Sequence, residues 1–304
     1  VIVSHAHSDH VNIGAKNDFP YFMSHPTHGL IEKKIPKKAK TKRVHFSKHF
    51  RSGEEKVSLV NAGHILGSSQ IIVEGEKKVV VTSDFKLQDS LVMKGAEIVP
   101  CDTLVIESTF GVKQFAFPPR ERVYAEMEKW LKEAQKGNML AVLAGYAMGK
   151  AQELTKVVNE YSHSTPYVHD SIFEKNKIHD SFGKKLGEYV KLDHNLKDAE
   201  VLILPPSLCS PHVLQAISVS AHKPIVAGKC TGWDWKESFD RNFKLSDHAD
   251  YNQLLQYVQE ARPKQVFTHH GFERELALSI TKELGVVARP LEEAKQQVLT
   301  SYGG

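Results

Sequence analysis

Short β-branched runs separated by polar turns mark the first third of the chain. Residues 57–60, 70–73, 79–82 and 103–107 read as strands, and the chain opens on an apolar triplet at 1–3. The period then changes. After Pro118-Pro119, the residues Val123, Met127, Trp130, Leu131 and Ala134 recur on one stripe with Lys and Glu opposite, which predicts a helix that Gly137-Asn138 stops. Residues 140–144 predict a buried strand, a helix follows from Gly149, and 201–204 and 224–227 are further buried strands. The tail repeats the alternation with a helix at 250–261, a strand at 265–268 and a helix at 273–284. Strands alternating with helices predict an α/β layering around a mostly parallel sheet.

Composition narrows this picture little. The 304 residues suit two domains or one large one, and 41% hydrophobic with 25% charged residues is an ordinary globular mix. A net charge of +4 is too small to indicate a nucleic-acid partner by itself. The longest apolar run, 139–148, is about half of a bilayer span, so neither a transmembrane helix nor a signal peptide is expected. Cys101, Cys209 and Cys230 lie far apart with no CxxC pair, which suits a reducing cytoplasm. The one low-complexity patch, 33–43, holds seven Lys/Arg; it reads as a solvated loop or as a segment that tracks a phosphate backbone. The chain starts on Val1 just ahead of a histidine-rich motif, and an N-terminal stretch is expected to be missing.

The chemistry is carried by histidine. Of the 17, three fall in Ser4-His5-Ala6-His7-Ser8-Asp9-His10, directly after the first apolar triplet. His5 and His7, two apart in extended backbone, project to one face, and Asp9 and His10 turn onto the next element. Imidazole and carboxylate so arranged suit borderline divalent ions. Distant segments offer further ligands: His64 between Gly63 and Gly67, Asp84 at the end of an apolar strand, and His270 at the end of another.

These motifs resemble, in order and spacing, the metallo-β-lactamase superfamily: HxHxDH, then a glycine-flanked histidine, then a strand ending in Ser83-Asp84. Glu107 in Glu107-Ser108-Thr109, His248 in Ser246-Asp247-His248-Ala249-Asp250 and His270 before Gly271 resemble motifs A, B and C of the β-CASP nuclease branch. Gly149-Lys150-Ala151-Gln152-Glu153-Leu154 and Pro205-Pro206-Ser207 are similar to short nucleases of the mRNA 3′-end processing and ligase-associated exonuclease types.

The resemblance implies an αββα metallo-β-lactamase sandwich from 1–112 and 238–304, with its N-terminal strands apparently missing, and a compact β-CASP-like α/β insert at 113–237. It implies that His5, His7 and His64 hold a first divalent ion, that Asp9, His10 and His270 hold a second, and that Asp84 bridges both; zinc is the leading metal, with manganese compatible. His248 would be the general acid, oriented by Glu107. The activity implied is hydrolysis of single-stranded RNA or DNA to 5′-phosphate and 3′-hydroxyl ends. RNA processing and DNA end repair are its two forms, and processing- or repair-complex proteins are potential partners. A thioester or lactam hydrolase is the rival enzyme, against which Glu107 and His248 count, and an inactive scaffold subunit is the rival non-enzyme. Gly149 and Lys150 at a helix start could bind a phosphate, against the alternative of a surface cap. Ser207, Ser210 and Gly228 are weaker candidates for substrate contact, and Trp233 and Trp235 read as core more than as base-stacking platforms.

Overall fold

The computed structural model describes residues 1–14, 19–193, 196–234 and 239–292. Two compact units divide the chain: Val1–Asp89, Lys94–Ala116 and His248–Gly304 form the first, and Ser90–Met93 with Phe117–Asp247 form the second.

The first unit begins with β1 (Tyr21–Ser24), α1 (His25–Ile31), β2 (Thr41–Val44), β3 (His49–Ser52), β4 (Glu55–Asn61), β5 (Ser69–Glu74), β6 (Lys78–Val81) and β7 (Thr103–Ser108). The second unit contributes α2 (Arg120–Lys136), β8 (Leu140–Ala144), α3 (Lys150–Val157), β9 (Tyr167–Val168), α4 (Asp170–Ser181) and β10 (Val190–Lys191). It continues through β11 (Val201–Leu204), α5 (Pro211–Ala221), β12 (Ile225–Cys230) and β13 (Arg241–Phe243). The chain then returns to the first unit for α6 (Tyr251–Ala261), β14 (Gln265–Gly271), α7 (Glu273–Leu284) and β15 (Val287–Pro290).

In the first unit a seven-stranded sheet runs in the order β15-β14-β7-β6-β5-β4-β3. Its β15, β14, β7 and β6 are parallel, and β5, β4 and β3 continue it antiparallel. Alternation along the strands sends side chains to two layers. Val60, Ile72, Val80, Leu104 and Ile106 pack with Leu254, Tyr257 and Val258 of α6 and with Leu276 and Ile280 of α7. Leu59 and Ile71, a cross-strand pair, face the other way and pack with Phe22 and Val44 of the short parallel pair β1–β2. The strand expected at 1–3 is reduced to one parallel bridge between Ile2 and Phe22, closed by Val3 N–H to the Phe22 carbonyl (2.9 Å) and Phe22 N–H to the Val1 carbonyl (2.9 Å). Three residues supply no more ladder than this.

The second unit is a six-stranded, all-parallel sheet ordered β10-β9-β11-β8-β12-β13. Parallel sheets are buried on both faces, and β8 is buried at all five positions. Ala141 and Leu143 join the core beneath α2 and α3, whereas Leu140, Val142 and Ala144 join a second one on the opposite face. The predicted α2 stripe is realised, with Val123, Met127, Leu131 and Ala134 buried and Trp130 set edge-on against Phe243. Trp233 is half-buried, and Trp235 lies outside the described residues. No helix among the described residues is long and apolar enough to cross a membrane.

Candidate metal centre

Every member of the centre belongs to the first unit and sits at or just beyond a strand end or on a connecting segment. His5 and His7 follow the Ile2 bridge, and a single 3-10 turn, Ser8–His10, carries Asp9 and His10. His64 lies on the connection from β4 to β5. Gly63 (φ +71°) and Gly67 (φ +81°) shape that loop: a Cβ on Gly67 would stand 2.6 Å from Thr27 N. The loop is fastened by Ser68 Oγ, which accepts from His64 N–H (3.1 Å) and Ile65 N–H (3.2 Å). Lys86, 1% exposed, donates its ammonium to the Gly63 carbonyl. Asp84 stands beyond the end of β6, after Ser83 in a left-handed conformation (φ +52°).

These segments converge. Ligand atoms of His5, His7, His64 and Asp84 all lie within 4.8 Å of one another, and so do those of Asp84, Glu107 and His248. Asp84 Oδ2 is 3.5 Å from His5 Nε2, 3.5 Å from His10 Nε2 and 3.8 Å from His64 Nε2, while His64 Nε2 is 3.0 Å from His7 Nδ1. Asp9, with its side chain 62% exposed, stands 3.6 Å from His10 Nε2. His270, in a left-handed conformation (φ +62°), ends β14, where its N–H reaches Glu273 Oε1 (2.8 Å). Asp9, His10 and His270 are therefore in neither compact group, although the charges of His10 and His270 both act on Asp84.

The donor set fits a divalent cation on an observation independent of motif. His5 Nε2 and Asp84 Oδ1 are buried with no hydrogen-bond partner. A buried carboxylate oxygen without a partner is costly unless a cation faces it. Burial pushes the Asp84 carboxyl above its ordinary range, against the opposing charge of His248. Burial also drives the His5 imidazole far below its ordinary range, and neighbouring His10, His7 and His248 add to this. A ring held neutral keeps a nitrogen lone pair for a metal. Borderline nitrogen and oxygen donors of this kind suit zinc and its neighbours.

Glu107 and His248 form the second half of the site. Glu107 is fully buried in β7 and accepts three hydrogen bonds: from His248 Nδ1 (2.9 Å), Thr109 Oγ1 (2.6 Å) and Phe85 N–H (2.7 Å). Burial alone would raise its pKa, but the His248 charge and these hydrogen bonds together hold it below the usual glutamate range. Glu107 thus engages the Nδ1 side of the His248 ring. The ring packs 4.6 Å from His64, centroid to centroid.

Several contributors were not singled out in the sequence. Ser4 Oγ contacts Nδ1 of both His5 (3.2 Å) and His10 (3.4 Å), and Ser83 Oγ donates to it (2.8 Å). Thr109 supports Glu107 from two residues away, a spacing visible in the motif once Glu107 is assigned. His269, by contrast, is the alternative that the sequence offers to His270 as a ligand; it pairs in register with Glu107, and its Nε2 is buried without a hydrogen-bond partner.

In the second unit the expected phosphate contacts look different. Lys150 is 2% exposed, and its ammonium lies between Glu153 (3.0 Å) and Asp247 (2.9 Å). The Gly149 N–H donates to Gln152 Oε1 (2.7 Å). Both donors offered to a phosphate are thus engaged inside this unit. Ser207 and Ser210 are exposed, the latter capping α5, and Gly228 is buried where a Cβ would stand 2.7 Å from the Phe243 ring.

Residues 241–289, which include His248 and His270, match the family described as RMMBL, the Zn-dependent metallo-hydrolase RNA specificity domain. A "Probable DNA ligase" of Opitutus terrae is 31% identical over 97% of this chain, which spans 29% of that relative's length. The "Probable RNase MJ4" of Methanocaldococcus jannaschii is 23% identical over 90% of this chain and 81% of its own length. Cleavage and polyadenylation specificity factor subunit 3 of Dictyostelium discoideum is 28% identical over 56% of this chain and 26% of its own length. A crystal structure of a protein of unknown function from Enterococcus faecalis superposes with a TM-score of 0.59 at 13% identity, covering 90% of this chain and 76% of its own. These similarities support the metallo-β-lactamase superfamily, in its β-CASP nuclease branch, as the family that the chain resembles.

Proposed function

We propose that the protein is a metal-dependent phosphodiesterase acting on single-stranded nucleic acid, with RNA as its principal substrate. The observation that carries this is a buried His5–Asp84 pair, in which His5 Nε2 and Asp84 Oδ1 neither accept nor donate a hydrogen bond, beside a histidine, His248, whose Nδ1 is held by the buried Glu107. Divalent cations held by His5, His7, His64 and Asp84, with Asp9, His10 and His270 serving a second ion, would supply Lewis-acid polarisation of the phosphate and a more acidic water.

The chain's own part is proton management. Water adds to phosphorus, the P–O3′ bond breaks, and the departing 3′-oxygen needs a proton. His248 Nε2 is assigned to donate it. Glu107 holds the ring in one tautomer and one orientation and stabilises its protonated form. Positioned acid catalysis of this kind contributes roughly 10²–10⁴-fold. The products are a 5′-phosphate and a 3′-hydroxyl. A thioester or lactam hydrolase has no use for a leaving-oxygen acid held this firmly. An inert scaffold has no use for unpartnered ligands in a buried cluster. The two units are assigned as a metallo-β-lactamase body and a β-CASP-like insert.

The attacking group is water, so the chemistry does not demand a ribose 2′-hydroxyl. A DNA-end-processing exonuclease is the second reading, and the ligase-named relative, aligned over nearly the whole chain, favours it. RNA is preferred because the matched RMMBL region is described by RNA specificity. End-labelled single strands of RNA and DNA of one sequence, incubated with zinc or manganese, test the proposal. RNA cleavage leaving 5′-phosphates supports it; cleavage of DNA alone transfers it to the second reading; cleavage of neither overturns it.

A further inference from the structure

We infer that the first unit carries a separate binding groove for a strand of nucleic acid, built by β2, β3 and the turn between them. The groove measures about 360 Å³. Phe22 and Phe50 form its floor, stacked with centroids 4.4 Å apart and planes 11° from parallel, and Lys42, Arg43, Lys48 and Arg51 line it. Among the described residues no carboxylate lines it. Among the described residues none of these four cations pairs with a carboxylate, whereas other surface lysines do, as Lys56 does with Glu74 and Lys264 with Asp102.

The charge is local. Residues 32–52 hold nine Lys/Arg and one Glu, a net of +8, which leaves 31 Lys/Arg and 35 Asp/Glu, a net of −4, on the rest of the chain. The lysine-rich run singled out in the sequence therefore leads straight into the groove. Lys42 Nζ lies over the Phe22 ring at 5.5 Å, but among the described residues no carboxylate answers the four cations; they repel one another, and an anion that threads between them relieves this. A phosphate backbone supplies such anions at regular spacing. Phe50, half-buried at the floor above the buried Phe22, adds what a simple anion does not need, a surface for an unstacked base. A duplex offers no open base face, so the ligand assigned is a single strand. This assignment rests on the nuclease reading for the identity of the ligand, not for the existence of the groove. The opposing explanation is that the charges keep the edge strand β3 from pairing with other chains.

The test measures binding without cleavage. A fluorescent polyadenylate of about twenty nucleotides is titrated onto the full chain in EDTA over a range of salt, by fluorescence anisotropy. The variant Lys42→Gln/Arg43→Gln/Lys48→Gln/Arg51→Gln, whose changes are all at exposed positions, is compared with Lys129→Gln/Lys132→Gln/Lys184→Gln/Lys185→Gln, which removes equal charge elsewhere. The groove variant should lose at least about tenfold in affinity, and its salt slope should fall by about 3, near 0.7 for each phosphate that is no longer neutralised. The control should bind as the unmodified chain does. Equal loss in both variants, or none in either, overturns the groove. Competition by adenosine monophosphate as effective as by the oligonucleotide would identify a small phosphate ligand instead. Equal capture of phosphatidylserine vesicles would identify an anionic surface, and either result overturns the strand assignment. If the four cations govern binding but no metal restores cleavage, the nuclease reading fails and the groove stands.

Discussion

His248 and Glu107, 141 residues apart in sequence, meet through a 2.9 Å hydrogen bond from Nδ1 to Oε2. The carboxylate is fully buried and also takes up Thr109 Oγ1 and the Phe85 N–H, so its oxygens have little freedom to leave the ring. Glu107→Gln keeps the shape but removes the charge that stabilises the protonated ring. Turnover on single-stranded RNA should fall by about 10²-fold or more, while bound metal and KM change little. A loss of metal in this variant would show that Glu107 serves the cation and not the acid.

Ser4 touches the Nδ1 atoms of His5 and His10 on one side and the Ser83 hydroxyl on the other. A hydroxyl so placed fixes which way the rings face. Ser4→Ala should weaken metal affinity by about 10–100-fold with the fold intact, read by competition against a chromogenic chelator.

In the second unit Glu153 is 1% exposed and accepts from Arg120, Tyr124 and Lys150, and Lys150 reaches on to Asp247. Arg120 Nη1 also holds the Ser246 carbonyl (2.7 Å), two residues ahead of His248 in the chain. Glu153→Gln leaves two buried cations short of a countercharge. Chemical denaturation should show a loss of about 3–5 kcal/mol.

His179, on α4, has its Nδ1 at 2.9 Å from the Lys175 carbonyl and its Nε2 buried without a partner. Burial pushes its pKa down to about 4 from an ordinary 6.5. The unfolded chain therefore binds one more proton than the folded one between these limits. Stability from this residue is intact above pH 6.5 and is lost as pH falls toward 4, on the order of 3 kcal/mol in all. In His179→Leu the dependence of unfolding free energy on pH across that window should be shallower by about one proton. An unchanged slope would contradict the assignment.

The candidate ligand motifs were legible because a metal would demand particular donors at strand ends. His5, His7, His64 and Asp84 come together as the sequence implied, whereas their hydroxyl supports could not be read. Ser4 and Ser83 are ordinary residues until the fold brings them within reach. The periodic elements were legible too: α2, α6 and α7 follow apolar stripes, and β8 is an unbroken apolar run. The elements β1, α1, β2 and β3 were not, because β1 is only four residues long, cations and histidines interrupt the pattern of the other three, and Phe22, Val44 and Phe50 pack against the distant Leu59 and Ile71. The surroundings of Lys150 could not be read either: a lysine after glycine at a helix start resembles a phosphate site, and only the fold shows Glu153 and Asp247 beside its ammonium.

The measurement that bears most directly on the central claim combines metal content and turnover on one preparation of His248→Ala beside the unmodified chain. Elemental analysis of protein purified without chelators should find divalent metal in both. Hydrolysis of single-stranded RNA should fall by about 10²–10⁴-fold in the variant alone. Undiminished hydrolysis in His248→Ala, or unmodified protein that is folded yet binds no divalent metal, would contradict it.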